Sequence, residues 1–156
     1  MVYLHRATLE DLIGDALTKE DAGKHAEAFN LDWIAQEGEA AYTRMLGDER
    51  HVVTLAEVDG RAVGYLSGAV RDPSTWRTAR MAEIFALYVI PEYRSQGIGE
   101  RLVRSFLRWA RDQGAERIVV AAFAANEAAL RFYRRVGFAP FEVMLEQPVE
   151  RQDGAR

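Results

Sequence analysis

The stretch VIPEYRSQGIGE, residues 89–100, decides the fold because it joins a strand to a long helix through a glycine-containing turn. Met81–Ile90 is apolar at both odd and even positions, which is typical of a strand covered on both faces, and Pro91 ends it. Residues 99–113 then repeat apolar side chains at helical spacing, and Gly114 stops the helix. The sequence therefore predicts a strand–turn–helix unit inside a covered sheet.

The turn of this unit has the features of an anion site. Free backbone N–H groups at a helix start, with the positive end of the helix dipole behind them, attract phosphate. Gly97 and Gly99 have no side chain to hold an anion away, and Arg94 can add a charge-assisted contact. The turn lacks the lysine of a P-loop and the third glycine of a dinucleotide fingerprint. A tight turn without any ligand remains the alternative.

The flanking sequence predicts a mixed sheet with helices on it, which is the α/β class. Asp59-Gly60 is a strong hairpin signal between two apolar runs. The predicted strands are Val2–Arg6, His51–Val58, Arg61–Val70, Met81–Ile90, Ile118–Phe123 and Phe138–Leu145. The predicted helices cover residues 8–21, 25–46 and 99–113, and a last one is capped by Asn126 and closed by Gly137.

Bulk properties limit the classes of function. A chain of 156 residues fits one domain, predicted over residues 1–149 with a disordered tail at 150–156. The net charge of -4 argues against non-specific nucleic-acid binding. The absence of cysteine excludes disulfides, thiolate metal sites and a cysteine nucleophile, and no metal is expected. No stretch has the apolar length of a signal peptide or membrane span, so we expect a cytoplasmic protein without membrane partners.

Two blocks of residues give this sequence a family resemblance. They are Arg94, Gly97 and Gly99 in the first block, and Asn126, Phe132-Tyr133 and Gly137-Phe138 in the second. In this pattern and order they resemble the GNAT superfamily of N-acetyltransferases, and the similarity covers nearly the whole chain. Ser95 departs from the pattern, because many members have glycine there. The resemblance implies a central, mostly antiparallel twisted sheet of six to seven strands flanked by about four helices.

The resemblance also implies a co-substrate, acetyl-coenzyme A, and residues that bind it. A bulge in the central strand would let the backbone of Leu87, Tyr88 and Val89 hold the acetyl carbonyl and the pantetheine arm. The pyrophosphate would meet the amides of the turn, which are those of Ser95, Gln96, Gly97, Ile98, Gly99 and Glu100. Asn126 would bind pantetheine, and Tyr133 would protonate the departing thiolate. The alternatives are a plain helix cap for Asn126 and a packed core tyrosine for Tyr133.

Glu83 is the candidate general base. It lies in the central apolar strand, on the face of Leu87 and Val89 if no bulge intervenes, and a buried carboxylate is usually paired or functional. Its spacing before Arg94 matches the glutamate that acts as base in the histone-acetyltransferase branch of the superfamily. The alternative is a solvated strand end at which Glu83 pairs with an arginine such as Arg80.

The sequence thus predicts an enzyme that transfers an acetyl group from acetyl-coenzyme A to a primary amine. The acid-rich first fifty residues favour a small cationic acceptor, and a solvated helix face is the alternative for these acidic residues. Trp33 and Trp76 are candidates to contact the acceptor, with core or loop packing as the commoner use of tryptophan. Ala121 stands where acetyltransferases of ribosomal-protein N-termini typically have glutamate, which weakens a protein N-terminus as acceptor. A protein acetyltransferase of lysines or N-termini, a non-catalytic acyl-coenzyme A-binding module and a nucleotide-binding domain of another fold are the alternatives. A homodimer is left open.

Overall fold

The structure, a computed structural model, describes residues 1–8, 37 and 39–150. Its sheet has the strand order β1-β2-β3-β4-β5, antiparallel from β1 to β4 and parallel between β4 and β5. The strands are β1 Val2–Arg6, β2 His51–Val58, β3 Arg61–Arg71, β4 Met81–Val89 and β5 Arg117–Val120. The α-helices of the described residues are α1 Glu39–Gly47, α2 Ile98–Asp112 and α3 Glu127–Arg135.

The expectation of a mixed, mostly antiparallel sheet with helices is confirmed, although the counts differ. The described residues hold five strands and three α-helices, against the six to seven strands and about four helices expected. Several predictions lie outside the described residues. They concern residues 9–21 of the first predicted helix, most of the predicted helix over 25–46, Trp33 and residues 151–156 of the predicted tail. None of the described helices has the length and apolar character that crossing a membrane requires.

The hairpin of β2 and β3 forms as its turn residues predict. Asp59 has a φ of 51° and Gly60 a φ of 77°, so both central residues are left-handed. A two-residue turn of this kind matches the right-handed twist of the strands that it joins. The register follows with Val58 opposite Arg61 and His51 opposite Ala69.

Helix α2 packs on one face of the sheet and forms the core with it. Leu66 of β3 and Leu102 of α2 are fully buried, and the ring of Phe106 is 2% exposed. Gly68 makes this packing possible, because a Cβ there would lie 2.5 Å from the Phe106 ring. The helix ends at Gly114, which has a φ of 78°, as the sequence predicts.

Strand β4 has a bulge at Phe85 that the sequence pattern did not locate. Ser67 pairs with Ala86 and the next residue of β3, Gly68, pairs with Ile84, so Phe85 has no direct partner. A bulge shifts the alternation of faces by one residue. The grouping of Glu83 with Leu87 and Val89 was expected only without a bulge, and it does not hold: Leu87 lies on the α2 face, and Glu83 lies on the other face.

A second compact unit begins at Phe123. Within it, α3 begins at Asn126 and ends at Gly137, whose φ is 106°, as predicted. The predicted last strand, Phe138–Leu145, is wrong, because residues 138–150 form no strand. Pro140 removes one ladder donor, and Met144 is 91% exposed, so this segment has neither the hydrogen bonds nor the burial that stabilise a strand. The single domain over residues 1–149 stays a prediction.

The predicted strand Ile118–Phe123 is also shorter than expected. β5 ends at Val120, and its three apolar side chains are half-buried rather than buried. Its ladder with β4 covers only Met81–Ile84, and the next residue of β4 is the bulged Phe85. Because a bulge bends and twists its strand, the edge of β4 turns away from β5 at this point.

Candidate functional site

The outer edge of β4 is open beyond the end of β5. Residues 86–89 keep β3 as their strand partner, and no described strand lies on their other side. This segment contains Leu87, Tyr88 and Val89, the residues predicted to hold the acyl and pantetheine groups. The backbone of an open strand edge offers N–H and C=O groups to an extended, amide-containing ligand.

The turn after β4 places a helix start beside this edge. A 3₁₀ turn, Pro91–Tyr93, follows the strand, and α2 begins at Ile98 with Gly97 as its N-cap. Gly97 supplies no capping side chain, and the first hydrogen bond of the helix runs from the Arg101 N–H to the Gly97 carbonyl at 3.0 Å. The helix thus has no carbonyl acceptor for the backbone N–H groups of Ile98, Gly99 and Glu100. These three donors lie at the positive end of the helix dipole.

Two left-handed residues shape this turn. Ser95 has a φ of 61° and Gly97 a φ of 81°. A Cβ added at Gly97 would meet no atom within 4 Å, so the space above this glycine is open. Glycine would suit the position of Ser95, since a left-handed backbone strains residues that have a Cβ. The turn is a shallow, open cradle of the kind that accepts an anion.

Arg94 connects the turn to the strand. Its Nε donates to the Val89 carbonyl at 2.8 Å, and its guanidinium carbon lies 5.5 Å from the centre of the Tyr88 ring. These contacts fix the position of the turn against the end of β4. Arg94 is therefore a structural residue of the cradle, and its predicted contact with phosphate stays a prediction.

Glu83 forms an ion pair on the face of the sheet opposite α2. Its Oε2 lies 2.5 Å from Nη2 of Arg71, and the Glu83 side chain is 29% exposed. The alternative partner named from the sequence, Arg80, binds elsewhere: its Nη1 donates to Asp72 at 2.6 Å and its Nε to the Gln113 carbonyl at 2.8 Å. Glu83 is thus a half-buried, paired carboxylate.

A pocket of about 320 Å³ lies over Glu83 at this end of the sheet. Its lining consists of Arg71, Asp72, Ser74, Trp76, Arg77, Ala79, Met81, Glu83 and Val119. Reasoning from sequence identified Glu83 and Trp76 in this set but missed Arg71. The register of β3 and β4 was the signal that could have found Arg71, because it places residues 71 and 83 on the same face.

Asn126 and Tyr133 belong to the second unit. Asn126 caps α3, since its Oδ1 accepts a hydrogen bond from the Ala129 N–H at 3.1 Å. The ring centre of Tyr133 lies 5.3 Å from that of Phe132 and 5.6 Å from that of Phe138. The capping alternative is therefore present in the structure, whereas Tyr133 contacts two rings but is half-buried and not a core residue. The catalytic and pantetheine-binding roles stay predictions.

Comparison with known proteins gives relatives of one kind. The model of the Acetyltransferase (GNAT) family matches residues 16–138. An uncharacterized N-acetyltransferase of Methanocaldococcus jannaschii is 30% identical over 90 residues, which are 58% of this chain and 40% of that protein. A mycothiol acetyltransferase of Amycolatopsis mediterranei is 28% identical over 131 residues, which are 79% of this chain and 44% of that protein. The chain thus spans less than half the length of these two relatives.

Solved structures share the fold. The acetyltransferase AAC(6')-Iy, in complex with the bisubstrate analogue CoA-S-monomethyl-acetylneamine, superposes with a TM-score of 0.77 over 96% of this chain and 99% of that one. The identity in this pair is 17%, so the likeness concerns the fold. Because the family model covers residues 16–138, including the open edge of β4 and the glycine turn, the chain belongs to the acetyltransferase (GNAT) family.

Proposed function

We propose that this protein transfers an acetyl group from acetyl-coenzyme A to a primary amine of a small molecule. The observation that carries the proposal is the adjacency of two features: the open edge of β4 at residues 86–89, and the uncapped start of α2 at Gly97. One suits an amide-containing arm and the other suits a pyrophosphate, and coenzyme A has both groups in one molecule.

The residues of the cradle fit this co-substrate. The space above Gly97 is open. The N–H groups of Ile98, Gly99 and Glu100 have no preceding helical carbonyl that could accept a hydrogen bond from them. Leu87, Tyr88 and Val89 present strand backbone, while Ser95 and Gln96 complete the wall of the turn. The bound co-substrate supplies an activated thioester; the chain supplies hydrogen-bond donors, orientation and proton transfer.

Proton transfer needs a base and an acid in this proposal. An acceptor ammonium must lose a proton before it can attack, and Glu83 is the carboxylate that lies at the floor of a pocket on the sheet. Tyr133 is the proposed acid that gives a proton to the leaving sulfur, and Asn126 is the proposed pantetheine contact. We propose a small acceptor that carries its amine as a cation, and a cytoplasmic location.

The similar proteins support a small acceptor. The solved structures that share the fold include an aminoglycoside acetyltransferase in complex with sisomicin, with a TM-score of 0.73 and 20% identity. A mycothiol acetyltransferase is among the curated relatives. These names describe those proteins; they favour a small amine over a protein as the first class of acceptor to test.

Release of free coenzyme A thiol from acetyl-coenzyme A, measured with a panel of primary amines, tests the proposal. We expect amine-dependent release by the wild type. The Glu83→Gln variant should lose most of it, on the order of a hundredfold in kcat, because general-base catalysis contributes about that much. Glu57→Gln, at a β2 carboxylate that lies 3.1 Å from His5, is the control and should keep full activity.

Two results would contradict this account. Binding of acetyl-coenzyme A with no thiol release for any amine would indicate a non-catalytic binding module. Full activity of Glu83→Gln would remove Glu83 as the base while leaving the acetyltransferase activity standing.

A further inference from the structure

The pocket over Glu83 has a floor made by the sheet and a wall made by one loop. Arg71 is opposite Met81, and Glu83 is opposite Val119, so these four side chains share the face turned away from α2. Residues 72–79 form the wall between β3 and β4. A tight turn orders this wall, because the Ser74 N–H donates to the Arg77 carbonyl at 2.6 Å and the Arg77 N–H donates to Ser74 Oγ at 3.0 Å.

The charged side chains of the lining differ in whether residues outside the pocket already neutralise them. Asp72 lies 2.6 Å from Arg80 and 3.7 Å from Arg50, and neither arginine lines the pocket. The carboxylate of Asp72 is thus neutralised from outside. Among the described residues, Glu83 pairs with Arg71, which itself lines the pocket and is 64% exposed. Arg77 adds a second guanidinium to the same lining.

This arrangement favours a ligand with two opposite charges. Glu83 Oε2 is already held by the guanidinium of Arg71 at 2.5 Å, so an ammonium that binds this carboxylate shares it with Arg71. A ligand with only an ammonium would weaken the pairing of Arg71 with Glu83 and offer Arg71 nothing in return. A ligand that also carries an anionic group would give Arg71 a second charge-assisted partner.

We infer that this pocket binds the acetyl acceptor, and that the acceptor is a small amine that also carries a carboxylate or phosphate. Its ammonium pairs with Glu83, and its anionic group pairs with Arg71. This inference rests on the proposed function and narrows its acceptor class.

Trp76 gives the pocket an apolar wall. Its indole is 91% exposed although it lines the cavity, so most of its surface is uncovered in the structure. An indole packs well against a sugar ring or an alkyl chain. The acceptor of this inference therefore has an apolar or ring-shaped body between its two charges.

The test compares paired acceptors that differ only in the anionic group. Glucosamine 6-phosphate is compared with glucosamine, and a series of amino acids with their methyl esters, by coenzyme A release. The anionic member of the preferred pair should have the higher kcat/KM. Arg71→Gln should lower that kcat/KM on the order of tenfold or more, mainly through KM, because a charge-assisted contact is lost. The ratio of the two kcat/KM values, anionic member over uncharged member, should fall by about the same factor.

Arg61→Gln is the matched control, since Arg61 is also an ion-paired arginine of β3 and is 61% exposed, but it lies at the other end of the strand. It should keep the wild-type preference. Trp76→Ala should raise KM for both members of a pair. Preference for the uncharged member, or an Arg71→Gln variant with unchanged selectivity, would overturn the inference while amine-dependent release still upheld the proposed function. No release with any amine would overturn both.

Discussion

Ser95 is held in a conformation that its own side chain disfavours. Its φ of 61° lies in the left-handed region, where residues with a Cβ are strained. The side chain is exposed, and among the described residues no side-chain hydrogen bond offsets this strain. The turn therefore keeps a shape that glycine would adopt more easily.

Replacement of Ser95 by glycine is expected to stabilise the protein. Relief of left-handed strain should raise the free energy of unfolding by about 1 kcal/mol, partly offset by the greater freedom of glycine in the unfolded chain. Thermal unfolding measures the change. Ser105→Gly inside α2 is the control and should be destabilising by about 0.5 kcal/mol, because glycine weakens a helix interior. A lower melting temperature for Ser95→Gly would show that the serine side chain supports the turn.

Asp48 makes stability depend on pH. Arg50 donates to it from its side chain and from its backbone N–H, which lies 3.0 Å from Oδ1, and these contacts lower the pKa of Asp48 to about 2. A carboxyl group with a lowered pKa stabilises the fold above its unfolded pKa, and this contribution is lost as pH falls through the folded pKa.

The Asp48→Asn variant is therefore expected to be less stable than wild type at neutral pH. The difference in free energy of unfolding should be constant above about pH 5 and should shrink as pH falls toward 2. Urea unfolding at a series of pH values measures it. A difference that grows on acidification would contradict the assigned cause.

At the scale of the elements, the contact of α2 with β3 depends on one glycine. A Cβ at Gly68 would lie 2.5 Å from the Glu83 carbonyl oxygen as well as 2.5 Å from the Phe106 ring. Both neighbours are rigid, since one is strand backbone beside the bulge and the other is a buried ring. Neither can move without disturbing the sheet or the core.

Gly68→Ala should consequently lower the free energy of unfolding by about 1–3 kcal/mol, the usual cost of overpacking. Chemical denaturation measures the loss. Gly47→Ala is the control, because a Cβ there meets nothing within 4 Å. Equal stability of the Gly68→Ala variant and the wild type would mean that β3 and α2 are less closely packed than this structure has them.

The sequence predicted the elements whose signals are local. Asp59-Gly60 specified its hairpin turn, and Gly114 and Gly137 ended their helices, because each acts through its own backbone. The bulge at Phe85 and the Arg71–Glu83 pair depend on the register between two strands, which the loop of residues 72–80 does not reveal. The predicted strand at 138–145 failed for a related reason: its apolar residues indicate a strand, but a strand also needs a partner edge.

At the scale of the whole molecule, a strand edge and a helix start together form the candidate co-substrate site. The open edge of β4 and the start of α2 are brought together by the turn of residues 91–97, and Arg94 holds that turn in place. The motif residues predicted this cradle from the sequence, while the placement of Asn126 and Tyr133 at it remains a prediction.

The affinity for acetyl-coenzyme A, measured by isothermal titration calorimetry on wild type, Gly97→Ala and Gly60→Ala, tests the central claim most directly. Gly97 and Gly60 have φ values of 81° and 77°, and a Cβ at either meets nothing within 4 Å, so the two variants carry similar strain. We expect tight binding by wild type and Gly60→Ala, and binding weakened on the order of tenfold or more in Gly97→Ala, where a methyl group obstructs the approach of phosphate to the backbone. Equal affinities in all three proteins, or none in the wild type, would contradict the assignment of the cradle.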